Sequence, residues 1–466
     1  MSKLKPKKHI LLLAAALALL LAAGALLFLF IPAGAAKGVA ELPLKGKTTE
    51  NFKIAVLSDS LLSRAATARA NGYWTNTRSA LALLKEERVA LILFAGNMTA
   101  AADAGQYKLF TELLDEVYGE GNAPPVLAAM GAGELEGAAT AALAQRTFAK
   151  ALDQKPRVRV KIGAVQVIAL SADRADAAEP YSAGALRWLE NALAEAAKDA
   201  AGGPILVLTP CPPANTVQGS GAYGSAKLDA LLASYSNAIS LSGGTHRPQL
   251  DEGMIWQGGY TAVGSQGLSY VELEPGYFDP QQGESGQMDV QRPQQADARP
   301  FALILAVARN KITVQRWNVL EQAQEHADAP WAVFLPLARE SFVYAPERRA
   351  AVNAAPYFTE QDIFTVSDIP GAGGKNMLDG VAFSPATDDL RVAAYDLEAT
   401  SRLNVTTTRR CAADTFLGMG AAKKVALALD PTLPSGEYKV RVYAVDDFGV
   451  RSTNYLECKL THTKKG

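Results

Sequence analysis

The chain of 466 residues is long enough for two or three domains, and its 49% hydrophobic content supports packed cores rather than disorder. Lysine plus arginine (46) nearly balance aspartate plus glutamate (47), so no global field draws the protein to nucleic acid or to an acidic membrane. Three cysteines without C-x-x-C spacing support neither a zinc cage nor a dithiol redox motif.

The first predicted element is an uncharged apolar run from Ile10 to Ile31, preceded by Lys3, Lys5, Lys7 and Lys8. At about 1.5 Å per residue a helix of that length crosses a bilayer. The flanking lysines keep its N-terminal end cytoplasmic and send the rest outward. Ala33-Gly34-Ala35 equally fits a cleavage site, so residues 1–36 read as a transmembrane anchor or a signal segment. The expected location is therefore the cell membrane with extracytoplasmic domains, or secretion if the segment is removed. Disulfides persist there, and Cys411 and Cys458, each in or beside a strand-like stretch, are expected as a possible pair.

From about Asn51, strand-like runs alternate with helical ones. FKIAVLSDS and RVALILFAGN read as buried strands entering small-residue loops. AALAQRTFAKAL and AGALRWLENALAEAAKDA carry apolar residues at helical spacing, with Leu186, Leu189 and Leu193 as the clearest stripe. KIGAVQVIALSA, GPILVLTP and NAISLSGGTH add three strands, and such alternation implies an α/β sheet covered by helices. Ligands of these sheets sit beyond the strands' carboxyl ends. Residues 274–300, rich in Gln, Pro and Gly, read as a surface loop of the first domain. FALILAVARNKITVQRWNV reads as a hairpin turning at Arg309-Asn310-Lys311. After ERRAAVNAAPYF, the period-two stretches RVAAYDLEA, KVALALD and EYKVRVYAVDD have no helix between them, which describes a β-sandwich. The expected division is 50–325, a connector at 326–357 and a sandwich at 358–462.

The strand-end stretches IAVLSDS, LILFAGNMTA, PPVLAAMGAGE, ILVLTPCPP and LSGGTHRP resemble, in order and spacing, the five motifs of calcineurin-like metallophosphoesterases. That family packs two sheets between helices, and the resemblance implies a four-layer αββα fold over about residues 52–320. It also implies a two-metal site, and there the pattern breaks. Asp59 is present, but Leu61 stands at the motif's histidine. Asn97 replaces the bridging aspartate, Ala132 the asparagine ligand and Gly133 the catalytic histidine, while Glu134 survives. Pro210 takes the fourth histidine's place. In the last motif Gly244 replaces the first histidine and His246 remains.

A bridging carboxylate offsets the repulsion of two nearby divalent ions, which a neutral asparagine cannot do. Asp59, Asn97 and His246 are thus the vestigial ligands, with Glu134 a possible addition. They imply no cofactor, or at most one weakly bound Mn, Fe or Zn ion. The C-terminal residues FSPATDDLRVAAYDLEA and LPSGEYKVRVYAVDDFGVRS look like a fibronectin type III-like module. The leading expectation is a membrane-anchored, non-catalytic phosphoesterase homologue, its partner an unknown protein or envelope ligand and not nucleic acid. The alternatives are a hydrolase with a single-metal or re-recruited site, and a structural envelope component.

Overall fold

The computed structural model describes residues 39–464 apart from 45–46, 66, 177–178, 201, 275, 279–293, 297, 360–362, 371–376 and 421–422. The expected anchor or signal at 1–36 lies outside them. Among the described residues no helix is long and apolar enough to cross a membrane.

Two seven-stranded sheets form the first unit. The first runs in the order Ala323–Glu325, Lys311–Asn318, Phe301–Val307, Phe52–Leu57, Leu91–Ala95, Val126–Ala129, with Trp331–Phe334 also paired to Lys311–Asn318. The second runs Ala40–Leu42, Arg157–Ile162, Val165–Leu170, Ile205–Thr209, Ala238–Ser242, Thr261–Gly264, Ile255–Gln257. Strand periodicity explains the layering. Ile54, Val56, Leu91 and Leu93 face Val167, Leu206 and Leu241 in the core between the sheets. Their alternates Ala55, Leu57, Ile92 and Phe94 pack against helices that include Ala104–Tyr118 and Ala141–Leu152. On the far side, Ile168, Leu170, Ile205 and Val207 pack against Leu189 and Leu193 of helix Ala183–Ala200. The result is the expected four-layer αββα arrangement.

Several boundaries differ from the sequence reading. KIGAVQVIALSA is no single strand; Arg157–Ile162 and Val165–Leu170 form a hairpin turned at Gly163, whose φ is +56°. The connector expected at 326–357 contains Trp331–Phe334, which belongs to the first sheet, and the short helix Pro346–Val352, with proline in its first turn. Residues 274–300 are not simply a loop of the first domain. Tyr277–Phe278 pairs in parallel with Thr406–Ala412 of the C-terminal unit, and Gln294–Ala296 pairs with Val271–Leu273.

The C-terminal unit sets one sheet, Tyr277–Phe278, Thr406–Ala412, Val392–Ser401, Gly436–Asp446, Leu456–His462, against a second, Phe364–Pro370, Met377–Phe383, Val425–Ala428. Phe383, Tyr395, Leu397, Leu427 and Val440 fill the space between them. The Cys411–Cys458 pairing is wrong. Cys411 and Cys458 lie on strands separated by two others and are not joined to each other. Three strand spacings amount to about 14 Å, well beyond the ~7 Å that a disulfide spans between Cα atoms.

Candidate functional site

The loops after Phe52–Leu57, Leu91–Ala95, Val126–Ala129, Ile205–Thr209 and Ala238–Ser242 converge at the carboxyl ends of their strands. Backbone bonds tie the first two together: Asp59 N–H to Gly96 O at 3.0 Å and Leu61 N–H to Asn97 O at 3.0 Å. Asp59, Leu61, Asn97 and His246 all adopt left-handed φ angles, between 48° and 52°. Such backbone costs an L residue on the order of 1 kcal/mol each, and asparagine and aspartate tolerate it better than leucine.

The three vestigial ligands come together. Asn97 Nδ2 donates to Asp59 Oδ1 at 2.9 Å, and His246 Nε2 lies 3.6 Å from that same oxygen. Asp59 Oδ2 accepts from Gly244 N–H at 3.0 Å. Asp59 is fully buried, and its two oxygens already serve an amide and a peptide donor. The His246 ring stacks on Tyr270, with centroids 4.3 Å apart, and its Nδ1 is 3.3 Å from Tyr270 O. Both ring nitrogens thus face acceptors, Nδ1 the Tyr270 carbonyl and Nε2 the Asp59 carboxyl.

Glu134 is not part of this cluster's bonding. Its Oε1 accepts from Thr99 N–H, Thr99 Oγ1 and Tyr107 OH at 3.0–3.2 Å, and its Oε2 from Gly131 N–H at 2.8 Å. Burial pushes its carboxyl up to about 7, although these donors pull the other way. Glu134 therefore braces the second and third loops, with its lone pairs occupied. Asp103 caps helix Ala104–Tyr118 by accepting from Gln106 N–H, and is likewise a structural residue.

At the lost positions the protein has closed in. A Cβ at Gly244 would meet Pro210 O at 2.5 Å, and one at Gly133 would meet Asn97 Oδ1 at 2.9 Å. Gly131 is tighter still, 2.2 Å from Asn97 Oδ1, and a Cβ at Gly243 would lie 2.7 Å from Asp59 Oδ2. Among the described residues no three His, Cys, Asp or Glu side chains stand close enough to hold a metal. With leucine, proline, alanine and glycine at the other positions, the donor set does not fit a two-metal centre. Tyr270 and the Thr99–Tyr107 brace were not foreseen; the small-residue run Ser242-Gly243-Gly244 was the one local hint of such close approach.

The fold and the strand-end loops together define a metallophosphoesterase-like α/β core joined to an all-β unit. No protein-family model and no curated protein matches the sequence. Among solved structures, the chain is similar to a dimetal phosphatase from Danio rerio, at 10% identity and TM-score 0.40 over 61% of this chain and 99% of that one. It is similar to a purple acid phosphatase from yellow lupin (Lupinus luteus) seeds, at 13% identity and TM-score 0.41, covering 60% of this chain and 53% of that one. A phosphatase from Mycoplasma pneumoniae aligns at 10% identity and TM-score 0.30, covering 61% and 93%.

Proposed function

We propose that the protein is a non-catalytic phosphoesterase homologue, anchored at the membrane through residues 10–31 with its folded units outside the cytoplasm, that acts by binding or assembly. The observation carrying this reading is the state of Asp59: both carboxylate oxygens are engaged by Asn97 and Gly244, and the neighbouring glycines leave no room for the missing imidazoles. Leu61 adds to it. A leucine held at φ 48° bears the backbone cost of a ligand position and offers no donor atom. The β unit is proposed to be a fibronectin type III-like module. Tyr438, near the start of strand Gly436–Asp446, donates through its hydroxyl to Pro434 O at 2.8 Å, in the manner of a tyrosine corner.

A single-metal hydrolase is the second reading, and one observation favours it. His246 Nδ1 lies against the Tyr270 carbonyl, the kind of contact by which proteins orient a metal-ligating histidine, and its Nε2 is on the side of Asp59. Turnover separates the two. Full-length protein loaded with Mn²⁺, Zn²⁺ or Fe²⁺ is expected to hydrolyse a chromogenic phosphoester no faster than its Asp59→Ala variant. Turnover that disappears in Asp59→Ala would establish the hydrolase.

A further inference from the structure

The loop that leaves His246 runs on through Leu250 to Glu252, at the junction of the two units. Glu252 Oε1 accepts from Arg316 Nη1 at 2.8 Å, and its Oε2 from Trp331 Nε1 at 2.9 Å and from Arg349. Arg349 lies in the helix linking the two units, with its guanidinium 5.0 Å from the Phe448 ring centroid of the β unit. The neighbouring Asp447, its side chain buried, accepts from Arg391 Nη2 at 2.7 Å. Next to Arg391 the two units leave between them a cavity of about 540 Å³, a size that suits a small molecule, and such sites favour domain boundaries. Leu250, Glu325 and His326 line it from the side of the first unit, and Asp388, Arg391 and Met419 from the β unit.

The polar groups of these walls are of two kinds. Arg391, 8% exposed, gives Nη2 to Asp447 and Nη1 to His326 Nε2 at 3.2 Å, while its buried Nε has no partner among the described residues. A guanidinium only donates, so Nε2 accepts and the His326 proton sits on Nδ1. Burial, then Arg316 and Arg391, lower this histidine below its ordinary value and keep it neutral near pH 7. Donors thus stand on one side. On the other, Asp388 Oδ2 accepts from Leu390 N–H at 3.0 Å and Arg391 N–H at 2.7 Å, but its buried Oδ1 accepts from nothing among the described residues. Burial raises the Asp388 carboxyl above its ordinary value, although those two N–H donors pull the other way. Glu325 adds a second carboxylate, while Glu321 at the same cavity is ion-paired with Arg299 at 3.5 Å.

We propose that this cavity binds a free α-amino acid with an apolar side chain: its carboxylate on Arg391 and His326, its ammonium on Asp388 and Glu325, and its side chain against Leu250 and Met419. The two kinds of wall select the class. A lone anion would face Asp388 and Glu325, and a lone amine would leave Arg391 Nε and the His326 Nδ1–H unanswered. A neutral polyol meets both walls only through weaker bonds, since hydrogen bonds that pair opposite charges are about twice as strong as neutral ones. Asp388 and Arg391 are tied together by the Arg391 N–H bond to Asp388 Oδ2, which suits a ligand whose opposite charges flank a single carbon. Binding at the cavity does not depend on whether Asp59 and His246 hold an ion.

Calorimetric titration of the full-length protein with each of the proteinogenic amino acids tests the site. At least one with an apolar side chain is expected to bind with a Kd of about 1 mM or tighter. Its methyl ester and its N-acetyl derivative, each lacking one charge, are expected to bind at least about tenfold more weakly. Asp388→Asn and Glu325→Gln, folded as the parent by circular dichroism, are expected to weaken the amino acid by a similar factor. No binding by any amino acid overturns the site, even if a variant fails to fold. So does binding that the ester, the N-acetyl derivative or glucose equals, and so does binding that both folded variants leave unchanged.

Discussion

The strand-end loops and the junction are both buried and both polar, yet they handle charge in opposite ways. Around Asp59 a single carboxylate is met by a neutral amide, a peptide N–H and a histidine, and the vacated positions are filled by close backbone approach. About the junction, Glu252 and Asp447 are each met by arginine, with Arg316 stacked 4.2 Å over the Trp331 ring. A buried charge without a partner is costly; at the strand ends neutral amide and peptide donors meet it, whereas at the junction guanidinium groups do.

The largest expected effect breaks the junction. Glu252→Ala leaves Arg316 and Arg349 without their carboxylate and should destabilise the fold by about 3–5 kcal/mol in denaturant titration; a loss below about 1 kcal/mol would mean that the network is idle. Next comes Glu134 in the strand-end loops. Its carboxyl is raised to about 7 in the fold against an ordinary 4.5, so its contribution is present at acid pH and is lost as pH rises through 7. A Glu134→Gln variant should lack that component, about 3 kcal/mol across the window, when its pH–stability curve is subtracted from the parent's.

Restoring a lost histidine tests the closed site more finely. Gly244→His, at φ +79° and 2.5 Å from Pro210 O, should cost roughly 1–3 kcal/mol and recruit no metal by calorimetric titration. Tight metal binding by that variant would show that the loops open readily. The smallest effect is at Leu61: Leu61→Gly relieves left-handed strain and should raise stability by about 0.5 kcal/mol in thermal unfolding.

Much of the core was legible because periodicity reports burial. AALAQRTFAKAL and AGALRWLENALAEAAKDA are the helices Ala141–Leu152 and Ala183–Ala200, and the hairpin turns at the expected Arg309-Asn310-Lys311. The convergence of Asp59, Asn97 and His246 was legible from motif order. Strand Ala40–Leu42 was not, since three residues carry no periodicity, and Trp331–Phe334 reads as connector until its partner strand is known. The Cys411–Cys458 error has the same root: strand-like surroundings give no strand order. Arg316, Arg349 and Arg391 read along the chain as ordinary solvated charges, and only tertiary structure reveals them as partners of buried carboxylates.

Metal stoichiometry tests the central claim most directly. Full-length protein equilibrated with Mn²⁺, Zn²⁺ or Fe²⁺, stripped of free ion and measured by elemental analysis, is predicted to retain less than one ion per chain, with Asp59→Ala unchanged from the parent. Two retained ions per chain, lost in Asp59→Ala, would contradict the account.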